Sequence, residues 1–498
     1  MKKTVQIVMP EVIGHVAPEI YGHFTELIGG VFYDGLWVGR DSPIPNIRGF
    51  RKDLVEKLRA IRPAVLRWPG GCFAETYHWR DGIGPNRPVR PSWWTSSDGR
   101  YESNAVGTHE FLDLCELVGA KAYLAVNVTS VTPLEAREWM DYCLSPRGST
   151  TLALEREGNG HPEPFRVDYW GIGNENWGGG GYMTPDTYAR EYRRFATVLS
   201  NLCGAPASNF IIGGANGGDF AWTRGVLENL FADPIPSLGM SFHFYTTTSP
   251  SSQALDFDEK GWYDVLSRCE WMETLIRRHA AIAAGYGMEE RARLVIDEWG
   301  CWHAGGSGPS KGANLFEQQS TMRDALVTAL TLNIFNNHCD RVMMANAAQL
   351  CNNLHCLFLA GGEHCVVTPA YHVFDLFKDH QGGDALRVLV GGNDGDIRER
   401  LSVSASVKDG RLTVTFANAS CGEDAEVDLR LLGAPDGLRD ATLTLLAASD
   451  IHAHNTFEDP DAVAPVRTAW EASPTLTLPR ASVATLRADI GRTDARSR

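Results

Sequence analysis

No apolar run in this sequence is long enough to cross a membrane. The opening Met1-Lys-Lys-Thr-Val-Gln-Ile-Val-Met-Pro-Glu11 starts basic, but its apolar stretch stops at Pro10 and Glu11. A secretory core needs roughly 7 to 15 apolar residues and a membrane span about 20. Positive charge is also scarce, with 46 Lys and Arg against 61 Asp and Glu, a formal net charge of −15. Nucleic acid and anionic membrane are recognised through clustered Lys and Arg, so neither is expected as a partner. A disulfide framework is missing too: the 11 Cys are odd in number and scattered, which fits a reducing compartment and predicts a cytoplasmic location. There is no solenoid repeat, and no phosphate loop. The Gly-rich patch 305–312 contains Lys311, but Pro309 interrupts it and the Gly-Lys-Ser/Thr ending is lacking.

What the sequence does have is alternation. Apolar, β-rich runs at 19–27, 64–68, 122–128, 169–173, 210–214, 240–245, 293–297 and 341–345 are separated by stretches of helical character. In 52–61 and 108–117 apolar residues recur at spacings of three and four, and 132–143 opens with Thr-Pro, a cap-like start. Repeated βα units predict a closed (β/α)8 TIM barrel of the α/β class. An open doubly wound sheet is the lesser alternative, since no Gly-rich nucleotide fingerprint follows the first strand. After about residue 384 the period shortens to two. The runs 401–407 and 411–416 flank Asp409-Gly410, a hairpin turn signal, and further strand-like runs lie at 441–446 and 475–478. The predicted organisation is a catalytic barrel at 19–384 and a C-terminal all-β, jelly-roll-like sandwich at 385–498, joined by an N-terminal strand in 1–18. The patches 178–181 and 305–312 are expected as flexible loops over a site, and the polar tail from Gly491 as frayed.

Two carboxylates dominate. Glu175 lies in Tyr169-Trp-Gly-Ile-Gly-Asn-Glu-Asn-Trp177 and Glu298 in Leu294-Val-Ile-Asp-Glu-Trp-Gly300, each where an apolar run breaks off. A parallel barrel collects its catalytic groups at the carboxyl ends of its strands, so a Glu there, followed by Trp rather than solvating charge, reads as catalytic. Two such groups suggest glycosidic-bond chemistry. The other predicted strand ends add Glu26, Arg67, Asn127, Asn174, Asn216, His243, Tyr245 and Gln349, a list more polar than chance. A buried, ionised Glu26 needs a partner, and an ion pair with Arg67 is one expectation. Cys351, His355, Cys356, His364 and Cys365 crowd one stretch, but their gaps are not those of paired Cys-x-x-Cys ligands, and no metal is expected.

The chain resembles the α-L-arabinofuranosidases of glycoside hydrolase family 51, in the clan of barrel glycosidases with catalytic Glu on strands four and seven. The motifs that carry the resemblance are Tyr21-Gly-His-Phe-Thr-Glu26, Leu66-Arg-Trp-Pro-Gly-Gly71, Tyr77-His-Trp-Arg-Asp-Gly-Ile-Gly-Pro85, Gly171-Ile-Gly-Asn-Glu-Asn-Trp177, Ile296-Asp-Glu-Trp299, Ala345-Asn-Ala-Ala-Gln349 and Asn455-Thr-Phe-Glu-Asp-Pro460. The resemblance implies a retaining, exo-acting enzyme that releases terminal arabinofuranosyl residues from arabinan- or arabinoxylan-derived oligosaccharides without metal or cofactor. Glu175 is then the acid/base and Glu298 the nucleophile. Glu26, Cys72, Asn174, Tyr245, Trp302 and Gln349 are implied as substrate-binding residues, with Asn174 on the sugar 2-hydroxyl and Tyr245 on the nucleophile. Arg67, Asn127 and His243 are implied in support, His243 behind Tyr245. The resemblance also implies a homo-oligomer, often a hexamer.

One departure stands out. Cys72 follows Pro-Gly-Gly where many relatives carry Asn, and a thiol lacks the donor and acceptor pair of an amide. Hydroxyl recognition there is expected to be weaker or differently arranged. The same scaffold also carries β-xylosidase, galactofuranosidase or endo-glucanase specificities. From another class, a catalytically silent carbohydrate-binding protein is the competing reading, and intact Glu175 and Glu298 argue against it.

Overall fold

The structure is a computed structural model that describes residues 1–200, 209–231, 235–248, 251–310, 315–433, 438–470 and 475–490. The tail from Gly491 and the end of the 305–312 patch lie outside the described residues. After a first strand, β1 (Lys2–His15), eight parallel strands close into a barrel in chain order. They are β2 (Gly22–Phe24), β3 (Val65–Trp68), β4 (Lys121–Val126), β5 (Tyr169–Ile172), β6 (Phe210–Asn216), β7 (Gly239–Thr247), β8 (Arg293–Cys301) and β9 (Val342–Ala348). Helices follow the strands around the outside. Among the described residues no helix is long and apolar enough to cross a membrane.

The helices obey the periodicity of their sequences. Helix α1 (Lys52–Ile61) buries Leu54, Val55, Leu58 and Ile61 and stops at Arg62, whose φ of 56° is left-handed and whose N–H returns to the carbonyls of Leu58 and Arg59. Helix α2 (Thr108–Val118) ends at Gly119 in the same way. Helix α3 (Pro133–Leu144) begins with the Thr132 side chain accepting the Glu135 N–H, and Pro133 fills the first turn.

The barrel interior changes character with height. At one level Val65, Tyr123, Tyr169, Ile211, Val295 and Met344 pack as a single apolar layer. Above it the interior is polar: Asp297 accepts from the Tyr123 hydroxyl at 2.9 Å and from Asn346 Nδ2 at 3.4 Å, with Arg67 Nε 3.9 Å away. The seventh barrel strand runs past the predicted end at residue 297, and a bulge interrupts it. Phe242 pairs with Ile296 and His243 with Glu298, so Asp297 is the extra residue. Neighbouring residues of a regular strand face opposite ways; the bulge lets both Asp297 and Glu298 point into the barrel. The first predicted strand is shorter than expected, because residues Pro18–Tyr21 form a 3-10 turn before Gly22.

Nine further strands, β1 among them, form one sheet, and three short two-stranded pairs lie in the barrel loops. With β10 (Asp384–Gly391), β11 (Leu401–Lys408), β12 (Arg411–Asn418), β13 (Ala425–Leu432), β14 (Leu438–Ala447), β15 (Val466–Ala469), β16 (Thr475–Leu478) and β17 (Ser482–Ile490), the order is β15-β14-β17-β12-β11-β10-β1-β13-β16. Leu443 and Leu445 near one end of that order share a core with Leu476 and Leu478 at the other, so the sheet curls over on itself to make the expected sandwich. Asp409 and Gly410, at φ 52° and 79°, make the hairpin turn between β11 and β12. Strand β1 lies between β10, to which it is antiparallel, and β13, to which it is parallel. The sheet also covers a barrel helix, Met322–Asn337, whose Asn333 and Asn336 bond Ser402, Ser404 and Thr415.

Candidate active site

At the carboxyl end of the barrel, two glutamates face each other across His243. Glu298 Oε1 accepts from Arg67 Nη1 at 2.9 Å and Oε2 accepts from the Tyr245 hydroxyl at 2.8 Å. His243 Nδ1 stands 2.9 Å from Glu175 Oε1 and 3.5 Å from Glu298 Oε2. A carboxylate oxygen of each glutamate and the imidazole nitrogen all lie within 4.8 Å of one another. Burial opposes charge on His243, but Glu298 and Glu175 outweigh it and raise its pKa. Arg67 is buried as well, and Asp297 and Glu298 overcome the burial to hold it more firmly protonated than in water. His243 is therefore placed on Glu175, not behind Tyr245 as the resemblance implied.

Glu175 is reached through unusual backbone. Its φ of 44° is left-handed, a conformation that costs a non-glycine residue about 1–3 kcal/mol. The chain turns tightly afterwards: the N–H groups of Gly178 and Gly180 both donate to the Glu175 carbonyl, at 2.8 and 3.0 Å. A Cβ on Gly180 would sit 1.7 Å from the Asn174 carbonyl oxygen, so only glycine fits. The 178–181 patch is thus a bonded turn wrapped around Glu175, where a loose loop was expected.

The predicted binding residues gather around this pair. Asn174 Oδ1 accepts from Arg67 Nη2, while its buried Nδ2 has no partner among the described residues and can donate to a ligand. Glu26 takes three N–H donors, from Phe73 and Trp94 Nε1 at 3.0 Å and from Gln349 Nε2 at 3.2 Å, and Gln349 Oε1 in turn accepts the Glu26 N–H at 2.9 Å. Burial pushes the Glu26 carboxyl up to about 7, helped by Glu298 and opposed by those donors and by Arg67. The expected Glu26–Arg67 ion pair is not the one that forms: Arg67 pairs with Glu298 and Asp297. Tyr245 meets Trp302 edge-on at 5.5 Å, and the Trp302 backbone N–H donates to the Thr247 hydroxyl at 3.0 Å. Cys72 Sγ lies 3.8 Å from Glu175 Oε2, and burial among carboxylates raises its pKa, so it stays a thiol. Asn127 sits further back, capping its own loop by accepting from the Thr129 and Ser130 N–H groups. Asn216 is exposed at the rim.

Two residues escaped the sequence reading. Trp94 carries no periodic signal in its loop and is known only by its bond to Glu26. Glu75 lies in the 3-10 helix Cys72–Thr76, is completely buried, and accepts from four N–H groups. Nothing in a chain with 61 acidic residues distinguishes it beforehand.

Among the described residues, ligand atoms also converge at Cys301, Asp324 and His355, within 4.8 Å. His355 therefore groups with these rather than with the cysteines near it in sequence. Asp324 is already engaged by the Thr321 N–H at 2.8 Å and His303 Nε2 at 3.0 Å. At the glutamate pair, Arg67 already supplies positive charge, which weakens the attraction for a cation.

A family model for the α-L-arabinofuranosidase 1 domain matches residues 57–259, and one for the α-L-arabinofuranosidase C-terminal domain matches 297–482. The chain is 37% identical over 455 residues to an intracellular exo-α-L-arabinofuranosidase of Bacteroides ovatus, covering 89% of this chain and 86% of that one. It is 30% identical to α-L-arabinofuranosidase C of Emericella nidulans, covering 93% of both. Among solved structures it superposes on the GH51 arabinofuranosidase of Xanthomonas axonopodis pv. citri with a TM-score of 0.89 at 37% identity, covering 98% and 99% of the two chains. On the arabinose complex of the Thermotoga maritima α-L-arabinofuranosidase the TM-score is 0.82 at 28% identity, covering 98% and 100%.

Proposed function

The chain belongs to the α-L-arabinofuranosidases of glycoside hydrolase family 51, and from that membership we propose that it removes terminal α-L-arabinofuranosyl residues from arabinan- and arabinoxylan-derived oligosaccharides by a retaining double displacement. The observation that carries this reading is the unequal surroundings of two close carboxylates. Glu298 holds a guanidinium and a phenol hydroxyl, donors that favour an ionised nucleophile, and Glu175 holds neither. One oxygen of each lies within 4.8 Å of one of the other, a close approach compatible with the short carboxyl separation, roughly 5–5.5 Å, of retaining enzymes.

Glu298 attacks the anomeric carbon while Glu175 gives its proton to the departing oxygen; Glu175 then takes a proton from water as it hydrolyses the glycosyl-enzyme. His243 bridges the two and tempers the charge that shifts between them. Asn174 Nδ2, beside the acid and without a partner among the described residues, donates to the 2-hydroxyl of the sugar. Glu26 and Gln349, bonded to each other, receive the other hydroxyls, and Cys72, Tyr245 and Trp302 line the furanose pocket.

Exo action follows the name of the Bacteroides relative, and its description as intracellular agrees with a cytoplasmic address. A homo-hexamer completes the proposal, checked by light scattering at six times the chain mass. The decisive experiment is a panel of nitrophenyl α-L-arabinofuranoside, β-xyloside and galactofuranoside substrates, with proton NMR of the first-formed sugar. Arabinofuranoside should be preferred and the first product should keep the α configuration. An inverted first product would refute double displacement.

A further inference from the structure

Glu75 has no place in the double displacement, yet it is buried completely and both its carboxylate oxygens are fully used. Oε1 accepts the Asn174 N–H at 2.6 Å and Asn176 Nδ2 at 3.1 Å; Oε2 accepts the Val128 and Thr129 N–H groups, each at 2.9 Å. The two groups on Oε1 come from the residues on either side of Glu175. The circuit closes on the far side, because the Thr129 hydroxyl donates to the Gly180 carbonyl at 2.7 Å and the Gly180 N–H donates to the Glu175 carbonyl at 3.0 Å. Asn176 Nδ2 reaches the same Gly180 carbonyl at 2.6 Å.

We propose that Glu75 is the positioning residue of the acid/base arm: its carboxylate clamps the loops after β4 and β5 so that Glu175 is held in its left-handed conformation with its carboxyl aimed at the departing oxygen. The inference rests on Glu175 being the acid/base. Left to itself, a non-glycine residue at φ 44° relaxes to negative φ and swings its side chain away. A carboxylate suits this place because it offers only acceptors to four donors. An amide of the same size sets two of its own N–H groups against two backbone N–H groups, which loosens the clamp without emptying the space.

Misplacing a general acid has a signature that lost packing does not share. Acid assistance matters for a poor leaving group and hardly at all for a good one. In Glu75→Gln, kcat/KM should fall about 30- to 100-fold for methyl α-L-arabinofuranoside and less than about 3-fold for the 2,4-dinitrophenyl substrate, a part of the 10²–10⁴-fold worth of general acid catalysis. If Glu75→Gln does not fold, Asn176→Ala, which removes one of the four donors and its bond to Gly180, is read in the same way and should show the same bias at smaller size. Equal losses on both substrates, or no loss on either, overturn the inference. Glu175→Ala runs in parallel. Should it show no leaving-group bias, the acid/base assignment itself falls; a bias in Glu175→Ala alone defeats only the role of Glu75.

Discussion

Arg67 donates to Glu298 Oε1 at 2.9 Å and, with its other terminal nitrogen, to Asn174 Oδ1, so one planar cation ties the proposed nucleophile to the residue beside the proposed acid. The Arg67 side chain is 1% exposed and that of Glu298 7%, and removing one member of such a buried pair costs about 3–5 kcal/mol because the other is left unpaired.

Arg67→Met should therefore weaken the enzyme twice over. Glu298 and Asp297 lose the cation beside them and Asn174 loses its donor, so kcat/KM drops and the melting temperature falls. Steady-state kinetics and a thermal melt check both. An unchanged kcat/KM would show that Arg67 does not support the nucleophile.

Glu26 makes a linkage prediction of definite sign. Its carboxyl is raised to about 7 in the folded chain against about 4.5 unfolded, so the folded state binds the extra proton between those values. Stability from this group is present below pH 4.5 and lost as pH rises through 7, a loss on the order of 3 kcal/mol. Glu26→Gln abolishes that dependence. Its melting temperature relative to the parent should be higher at pH 8 than at pH 5, and a constant difference across that range would contradict the raised carboxyl.

Buried imidazoles act in the opposite direction. Burial pushes His23 and His380 down to about 3 and His279, His355 and His372 down to about 4. Between pH 6.5 and 4 the unfolded chain binds protons on these residues that the folded chain refuses, so stability falls on acidification by about 1.4 kcal/mol per pH unit for each proton. Urea unfolding at pH 7 and pH 5 should show the drop. His380 bonds Ser406 at 2.7 Å and Thr415 at 3.0 Å, and His380→Gln should narrow the gap by one proton's share.

Cys72 should be slow to alkylate despite lying in the site. Burial and the carboxylates around it keep the thiol protonated, and the thiolate is the nucleophile. At pH 8, iodoacetamide should consume glutathione well before activity declines. Faster inactivation than glutathione alkylation would mean that the thiol is ionised.

The barrel was legible because its strands are apolar on both faces and its helices keep their three and four spacing; α1 spans Lys52–Ile61 as the periodicity predicts. The glutamate pair was legible because glycine and tryptophan motifs frame it. Three things were not. The bulge at Asp297 leaves no mark in a run that is apolar up to Ile296, yet it decides that Glu298 faces inward. The partner of Arg67 is a matter of depth in the barrel, which spacing along the chain does not encode. Glu75 acts through backbone N–H groups of other loops, and backbone groups carry no residue-type signal.

Strand β1 lies between β10 and β13, pairing Val5 with Val390 on one side and with Leu429 on the other. In sequence β1 precedes both neighbours by the whole barrel, so during synthesis it waits until β10 and β13 have been made. The last barrel helix ends at residue 377, so the barrel can assemble while β1 is still unpaired, and the late docking of that strand completes the sheet. Until then the edges of β10 and β13 are open to strands of other molecules. An amino-terminal fusion that holds β1 back would prolong this exposure, with aggregation during synthesis as its cost.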